Sequence, residues 1–340
     1  MLKQRSESVE HAQEAIEVAR RVGDSFAELN AMINLFTQEA TEGVAPDLAE
    51  IGSIVESAAE AGEYEEGYRA IINLLWSASG YSPVGRIELS LEEGRRMLAD
   101  VPAPGSIGAY LEVSVAMCLL VPSGRWAEAD GMLSEIRGRE GAISTKLAWL
   151  AVVGTLAFRR GDERGSKQLD ELRPLALASG ELQRIIPMAA GLMPWLARTG
   201  RLEELRSFTE ELLILVDRQW PAVLDSVPIV RALADAGETE LLARTAESMR
   251  EAHHVAAHTE TALLTAEGLL AVQHGNPGEG AEKLEAAAGR KRQLGRTYEA
   301  ACLELDLARA LEAAGQTSAA GEAHTRASAV LERLGCVNPF

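Results

Sequence analysis

Glycine followed by a polar residue recurs at Gly85-Arg86, Gly124-Arg125, Gly161-Asp162, Gly200-Arg201, Gly237-Glu238, Gly275-Asn276 and Gly315-Gln316, at intervals of 39, 37, 39, 37, 38 and 40 residues. Glycine closes a helix in the left-handed conformation without the Cβ penalty that other residues carry. A second series of breaks falls about midway, at Gly23, Gly62, Pro104-Gly105, Gly141, Gly180, Trp220-Pro221, His253-His254, Gly295 and Gly335. Two interleaved series of stops at one period predict a unit of two helices, roughly 13 to 19 residues each. Between the stops, apolar residues recur at helical spacing, as in Ile16, Ala19 and Val22 or Leu303, Leu307, Ala310 and Leu311. No segment alternates as a strand would. The prediction is an all-α chain, one domain over 1–340, with 17 helices. An opening helix at about 6–22 is followed by pairs at about 24–60, 62–100, 105–138, 141–178, 181–217, 220–252, 255–293 and 296–334. Each unit of such an array buries its faces only against its neighbours, so the unpaired opening helix needs a polar cap or an upstream partner in a longer polypeptide. Glu7, Glu10, Gln13, Glu14 and Glu17 are candidates for that cap.

Composition narrows the function classes. Lys+Arg 33 against Asp+Glu 51 leaves a net charge of −18, which argues against a nucleic-acid surface built on clustered cations. Cys118, Cys302 and Cys336 lie far apart without a Cys-x-x-Cys pair, which speaks against a disulfide framework or zinc ribbon and fits a reducing compartment. The start, MLKQRSESVEHAQ, has no apolar core to serve as a signal peptide. The longest apolar run, Leu147 to Phe158, is 12 residues, short of a bilayer span. A cytoplasmic protein without a membrane segment is expected.

Five residues after each turn glycine stand Ser90, Ala129, Ser166, Leu205, Leu242, Gly280 and Ala320; seven before it, Ala78, Gly154, Gly268 and Ala308 are small. Small side chains at those places let paired helices approach closely. The same offsets carry the small packing residues of the tetratricopeptide repeat, and Gly124-Arg-Trp-Ala-Glu-Ala129 resembles that repeat's inter-helix turn. The resemblance implies a right-handed superhelical α-solenoid of about eight helix hairpins, with a period somewhat longer than the family's own.

No catalytic constellation is present. The chain has no phosphate-binding Gly-x-x-x-x-Gly-Lys-Ser/Thr loop, no nucleophile elbow and no His-Glu-x-x-His helix. His254 and His258 are spaced to share a metal but lack a third ligand, and read as solvated residues near a helix start. Glu251-Ala-His-His254 lacks the second copy a di-iron site requires. Cys118 and Cys302 read as core thiols. Paired acids such as Glu203-Glu204 read as solvated helix faces. Arg290-Lys291-Arg292 with Arg296 reads as cations complementing a helix C-terminus, or else a partner-binding patch. No enzyme activity, metal or cofactor is expected in this chain.

The last unit, from Gly295 through Tyr298, Cys302 and Leu307 to Gly315 and on to Leu331-Glu-Arg-Leu-Gly335, resembles the terminal repeats of large bacterial signal-transducing (STAND-type) ATPases. In those a nucleotide switch precedes a tetratricopeptide-like superhelix, with a class III adenylate or guanylate cyclase domain at the N-terminus in some. Others carry a LuxR-type DNA-binding domain at the C-terminus, as in the maltose-regulator group. Their phosphate loop, cyclase carboxylates and helix-turn-helix have no counterpart here. The resemblance implies a regulatory, transcription-linked arm that senses a ligand or binds a protein; a free-standing scaffold with a peptide groove is the alternative. Groove positions of the family, six and two residues before the turn glycines, carry Thr155, Arg159, Arg198, Arg231 and Arg309. Such arginines would attract an acidic segment or chain-terminal carboxylate, or would pair with neighbouring acids. A small-molecule effector is a further expected partner. Trp76, Trp126, Trp149, Trp195 and Trp220 occupy unequal positions and read as core or as groove contacts. Pro187 and Pro194, seven apart, kink one helix in a single direction, making either a binding notch or an irregular packing joint.

Overall fold

A computed structural model describes residues 2–99, 101, 103, 105–138, 141–217, 220, 225–252 and 257–339. They form α1 (Leu2–Val22), α2 (Ser25–Thr41), α3 (Leu48–Ala61), α4 (Tyr64–Ala78), α5 (Val84–Met97) and α6 (Gly105–Val115), which runs into a π-helical turn at Ala116–Leu120. Then follow α7 (Trp126–Glu135), α8 (Ile143–Arg159), α9 (Arg164–Ser179), α10 (Leu182–Arg198), α11 (Leu202–Val216) and α12 (Val227–Asp235). The last five are α13 (Thr239–Arg250), α14 (Ala257–Gln273), α15 (Pro277–Gln293), α16 (Thr297–Ala313) and α17 (Thr317–Arg333). Among the described residues there is no strand and no helix long and apolar enough to cross a membrane.

The stops act as their chemistry requires. Six of the seven glycine–polar steps (Gly124, Gly161, Gly200, Gly237, Gly275 and Gly315) have φ between 70° and 89°. The residue after the glycine donates its N–H to the carbonyl five earlier, as from Asn276 to Ala271 at 2.8 Å and from Gln316 to Leu311 at 2.9 Å. Gly85 departs from expectation. It lies in the first turn of α5, because Pro83 sets φ for a helix start and the reversal is made over 79–83. Gly105 likewise begins α6 rather than ending a helix. The expected breaks at Pro104, Pro221 and His253-His254 lie outside the described residues.

Most helices pack on the next, α5 with α6 and α11 with α12 being the weak steps, and the even-numbered helices α2 to α16 also pack on one another in a continuous row. The small residues set the closest crossings. A Cβ on Gly280 would stand 2.6 Å from Val272 Cγ2 and 2.8 Å from Gly268 O, so α14 and α15 meet only as glycine backbones. The row then returns on itself. Val84 N donates to Leu294 O at 2.9 Å, Tyr298 N to Pro122 O at 2.9 Å, and Val337 N to Arg159 O at 2.8 Å. Side-chain bonds span the same gap: Arg296 to Cys118 across 178 residues, His258 to Ser79 across 179 and Asn338 to Phe158 across 180. That separation is between four and five of the glycine intervals. The ends of α4, the π turn and α8 are thereby closed by residues from α14 to the tail after α17.

Candidate functional site

Where the returning helices meet the earlier ones they line a partly open cavity of about 150 Å³. Among the described residues every wall residue lies on an even-numbered helix from α4 to α16, on the π turn or on an adjoining turn. The apolar wall includes Trp76, Met117, Val121, Ile186 and Val227, together with Pro187, Pro194 and Pro228. The expected proline feature of α10 therefore falls on this cavity. The polar wall includes Ser79, Thr155, Arg159, Asp225, Arg231, His258, Arg296 and Glu299.

Proline explains how Arg296 is held. In a helix the carbonyls of Ser79 and Cys118 would accept from residues four ahead, but those are Pro83 and Pro122, which have no N–H. Arg296 Nη1 supplies both, at 2.9 Å to Ser79 O and 3.3 Å to Cys118 O. Its Nε and Nη2 grip Glu299 at 2.5 and 3.0 Å. Lys291, 1% exposed, sits 2.9 Å from both Glu299 and Asp225. Burial opposes ionisation of Glu299, yet Arg296 and Lys291 overcome it and hold the carboxyl well below its ordinary range. At Asp225 burial prevails over Lys291 and raises the value.

His258 is buried beside this cluster, not solvated as expected, because the start of α14 seats it against Gly80 at the end of α4. Its expected companion His254 lies outside the described residues. Burial, then Lys291 and Arg296, push its pKa well down, so the ring is neutral near pH 7. Ser79 Oγ donates to Trp76 O at 3.0 Å and therefore accepts from His258 Nε2 at 3.1 Å. Nδ1 is left as a lone-pair acceptor, buried and without a partner.

Arg159 and Arg231 form the opposite arrangement. Arg231 is chelated by Asp306, Nε at 2.5 Å and Nη2 at 3.1 Å, and burial raises the Asp306 value against Arg231's pull. Arg159 is 6% exposed and stands 5.0 Å from the Tyr298 ring centroid, with Nη1 donating to Pro339 O at 2.6 Å. Its Nε is buried without a partner, and burial lowers its pKa. Burial also pushes the wall thiols of Cys118 and Cys302 up to about 12 and about 11.

Of the five groove positions inferred from sequence, Thr155, Arg159 and Arg231 come together on this wall. Arg198 is exposed at the end of α10, and Arg309, its side chain 60% exposed, reaches Asp306 from outside. Arg290-Lys291-Arg292 splits: Arg290 and Arg292 pair with Glu260 and Glu304, while Lys291 turns inward. Lys291, Arg296, Glu299, Asp225 and His258 were not singled out by sequence as one site. The tryptophans are core residues except half-buried Trp149, and Trp76 also faces the cavity. Among the described residues no group of three or more His, Cys, Asp or Glu side chains is placed to hold a metal ion. No family model matches the chain, and no curated protein matches it.

Proposed function

We propose that this chain is a non-catalytic, tetratricopeptide-like superhelical domain, a right-handed array of about eight helix hairpins behind an extra first helix, that senses a small molecule in its interior. The observation that carries this reading is the wall itself: the even-numbered helices from α4 to α16, with the π turn and adjoining turns, contribute to a single amphipathic cavity, and residues about 178 positions apart meet beside it. Pockets with apolar walls and a few placed polar groups are the usual form of small-molecule sites. A free-standing scaffold with an open peptide groove is the weaker reading, because the corners that would edge such a groove are taken by Leu294, Tyr298 and Val337 of the same chain. Occupancy would bias an attached switch, as in the signalling ATPases whose terminal repeats this chain resembles. Such coupling requires the ligand to bind two states unequally.

The test is native mass spectrometry of the chain isolated from its source cells. A small-molecule mass increment is expected, lost on denaturation and lost in Ala190→Phe, which fills the cavity. A chain that comes out bare and takes up nothing from cell extract overturns the sensing role. An immunoblot of the native polypeptide tests the second part: a band well above the 36.4 kDa of this chain is expected if it is the arm of a larger regulator.

A further inference from the structure

Resting on that reading, we infer that the cavity takes an uncharged, largely apolar molecule about the size of a single ring. Three observations define the class. The first is how the charged wall residues spend their bonding groups. Glu299 is taken by Arg296 and Lys291, Asp225 by Lys291, and Arg231 by Asp306. Arg159 lies over the Tyr298 ring and donates to Pro339 O, and His258 Nε2 is spent on Ser79. Arg159 Nε and His258 Nδ1 lack partners but have next to no accessible surface, so a molecule in the cavity does not reach them. An ion entering here would shed its water and find these charges already engaged with one another. A neutral body has no such cost.

The second observation is the surface that remains. Trp76 gives its Nε1–H to Ser114 Oγ at 3.1 Å, off the wall, so what it presents to the cavity is its ring. With Met117, Val121, Ile186, Pro187 and Pro194 it makes an accessible lining that is mostly apolar. Burial holds the wall thiols of Cys118 and Cys302 protonated and neutral. Thr155 adds an uncharged hydroxyl, which a hydroxyl on the ligand can meet. Indole and thioether surfaces both pack favourably on a flat ring.

The third is size. A volume of about 150 Å³ suits one ring, as apolar cavities of that volume hold benzene. An ordered water needs several polar partners, and the polar groups of this wall are largely bonded to one another, so water fills the space poorly. A ring supplies the wall atoms with the dispersion contacts they otherwise lack. The open side of the cavity gives it a way in.

The test is calorimetric titration of the full chain with four probes of one ring each: toluene, benzyl alcohol, benzoate and benzylammonium. Toluene is expected to bind with a Kd below about 1 mM and benzyl alcohol within about tenfold of it. The two ions should bind at least about 30-fold more weakly than toluene. Two controls place the binding. The Trp76 indole N–H resonance should shift with toluene, while that of Trp149, bonded to Leu133 O away from the wall, should not. Ala190→Phe, which fills the cavity, should abolish toluene binding, and Ala190→Leu should weaken it if the larger residue prevents folding. Benzoate or benzylammonium binding as tightly as toluene overturns the neutral class. Toluene binding that leaves the Trp76 resonance in place overturns the site. If none of the four binds but the chain from source cells carries a small molecule, this inference fails and the sensing role stands. If toluene binds as described but the chain from source cells is bare and takes up nothing from extract, this inference stands and the sensing role fails. If both come out empty, both fail.

Discussion

Arg296→Met should unfasten the return contact. The side chain is 3% exposed and carries four hydrogen bonds, two to Glu299 and one each to Ser79 O and Cys118 O. Methionine matches much of the apolar stem but none of the donors. Glu299 retains Lys291 at 2.9 Å, so its charge is not stranded. The two carbonyls are stranded, because Pro83 and Pro122 stand where their helical donors would be. Leaving a buried acceptor unmet costs about 1–3 kcal/mol, so two of them come to about 2–6 kcal/mol. For 340 residues the unfolding entropy is about 0.7 kcal/mol/K, which converts that loss into a fall in Tm of about 3–9 °C. The sharper readout is amide exchange at Val84 and Tyr298, whose N–H groups close the contact. Both should exchange at least about tenfold faster in the variant, while the α10–α11 amides stay as in the parent. A variant with unchanged exchange at Tyr298 and a Tm within about 1 °C would refute the proline-and-arginine account. Arg206→Met, which breaks only exposed pairs with Glu203 and Glu238, serves as the control and should cost less than about 1 kcal/mol.

Three further outcomes are expected. Gly280→Ala, whose new Cβ meets Val272 Cγ2 and Gly268 O, should lose about 1–3 kcal/mol, while Gly321→Ala on the open face of α17 should gain up to about 1 kcal/mol; equal effects in thermal melts would deny the close crossing of α14 and α15. His258 is neutral when folded and takes a proton near its ordinary 6.5 when unfolded, so the unfolded state binds more protons below that pH. Stability should therefore fall as pH drops from about 6.5 toward 5, by up to about 1.4 kcal/mol per unit, and His258→Asn should flatten that slope in urea melts at each pH. With Cys118 and Cys302 pushed up to about 12 and about 11 by burial, and half-buried Cys336 also to about 12, native protein at pH 8 should resist iodoacetamide. Rapid native labelling of Cys118 would mean that the cavity opens far more often than its contacts allow.

The parts of this fold that were legible are those governed by local chemistry. A glycine with positive φ needs no distant partner, so Gly124, Gly161, Gly200, Gly237, Gly275 and Gly315 could be read as stops. Gly85 shows the limit: a glycine in the first turn of a helix looks the same in sequence as one just past the end, and only Pro83 distinguishes them. Position-based reasoning reached Thr155, Arg159 and Arg231 because they share a register on the even-numbered helices. It could not separate them from Arg198 and Arg309, since which end of a helix is covered depends on the returning chain. Lys291 and Arg296 were hidden for the same reason. A run of cations at a helix end is ordinarily solvated, and here burial comes from partners such as Ser79 and Cys118, about 180 to 220 positions away.

On the proposed reading, that same distance is what would let the cavity signal. Arg159 and Thr155 sit on α8, whereas His258 and Arg296 arrive with α14 and the start of α16. A ligand that contacts the Arg159 and His258 walls together then touches both sides of the return contact. It can do so only when the contact is closed. Its affinity for a state in which α14 and α16 have separated from α8 is then limited to one half of the site. Such a ligand at about 100 times its Kd would add about 2.7 kcal/mol to the closed state, of the same order as removing Arg296 would take away. Binding and Arg296→Met should therefore act in opposite directions on one observable, the exchange rate of the Tyr298 amide. If the small molecule carried by the chain from source cells binds the parent yet leaves that rate unchanged, occupancy and closure are independent, and the cavity is a binding site without a switch.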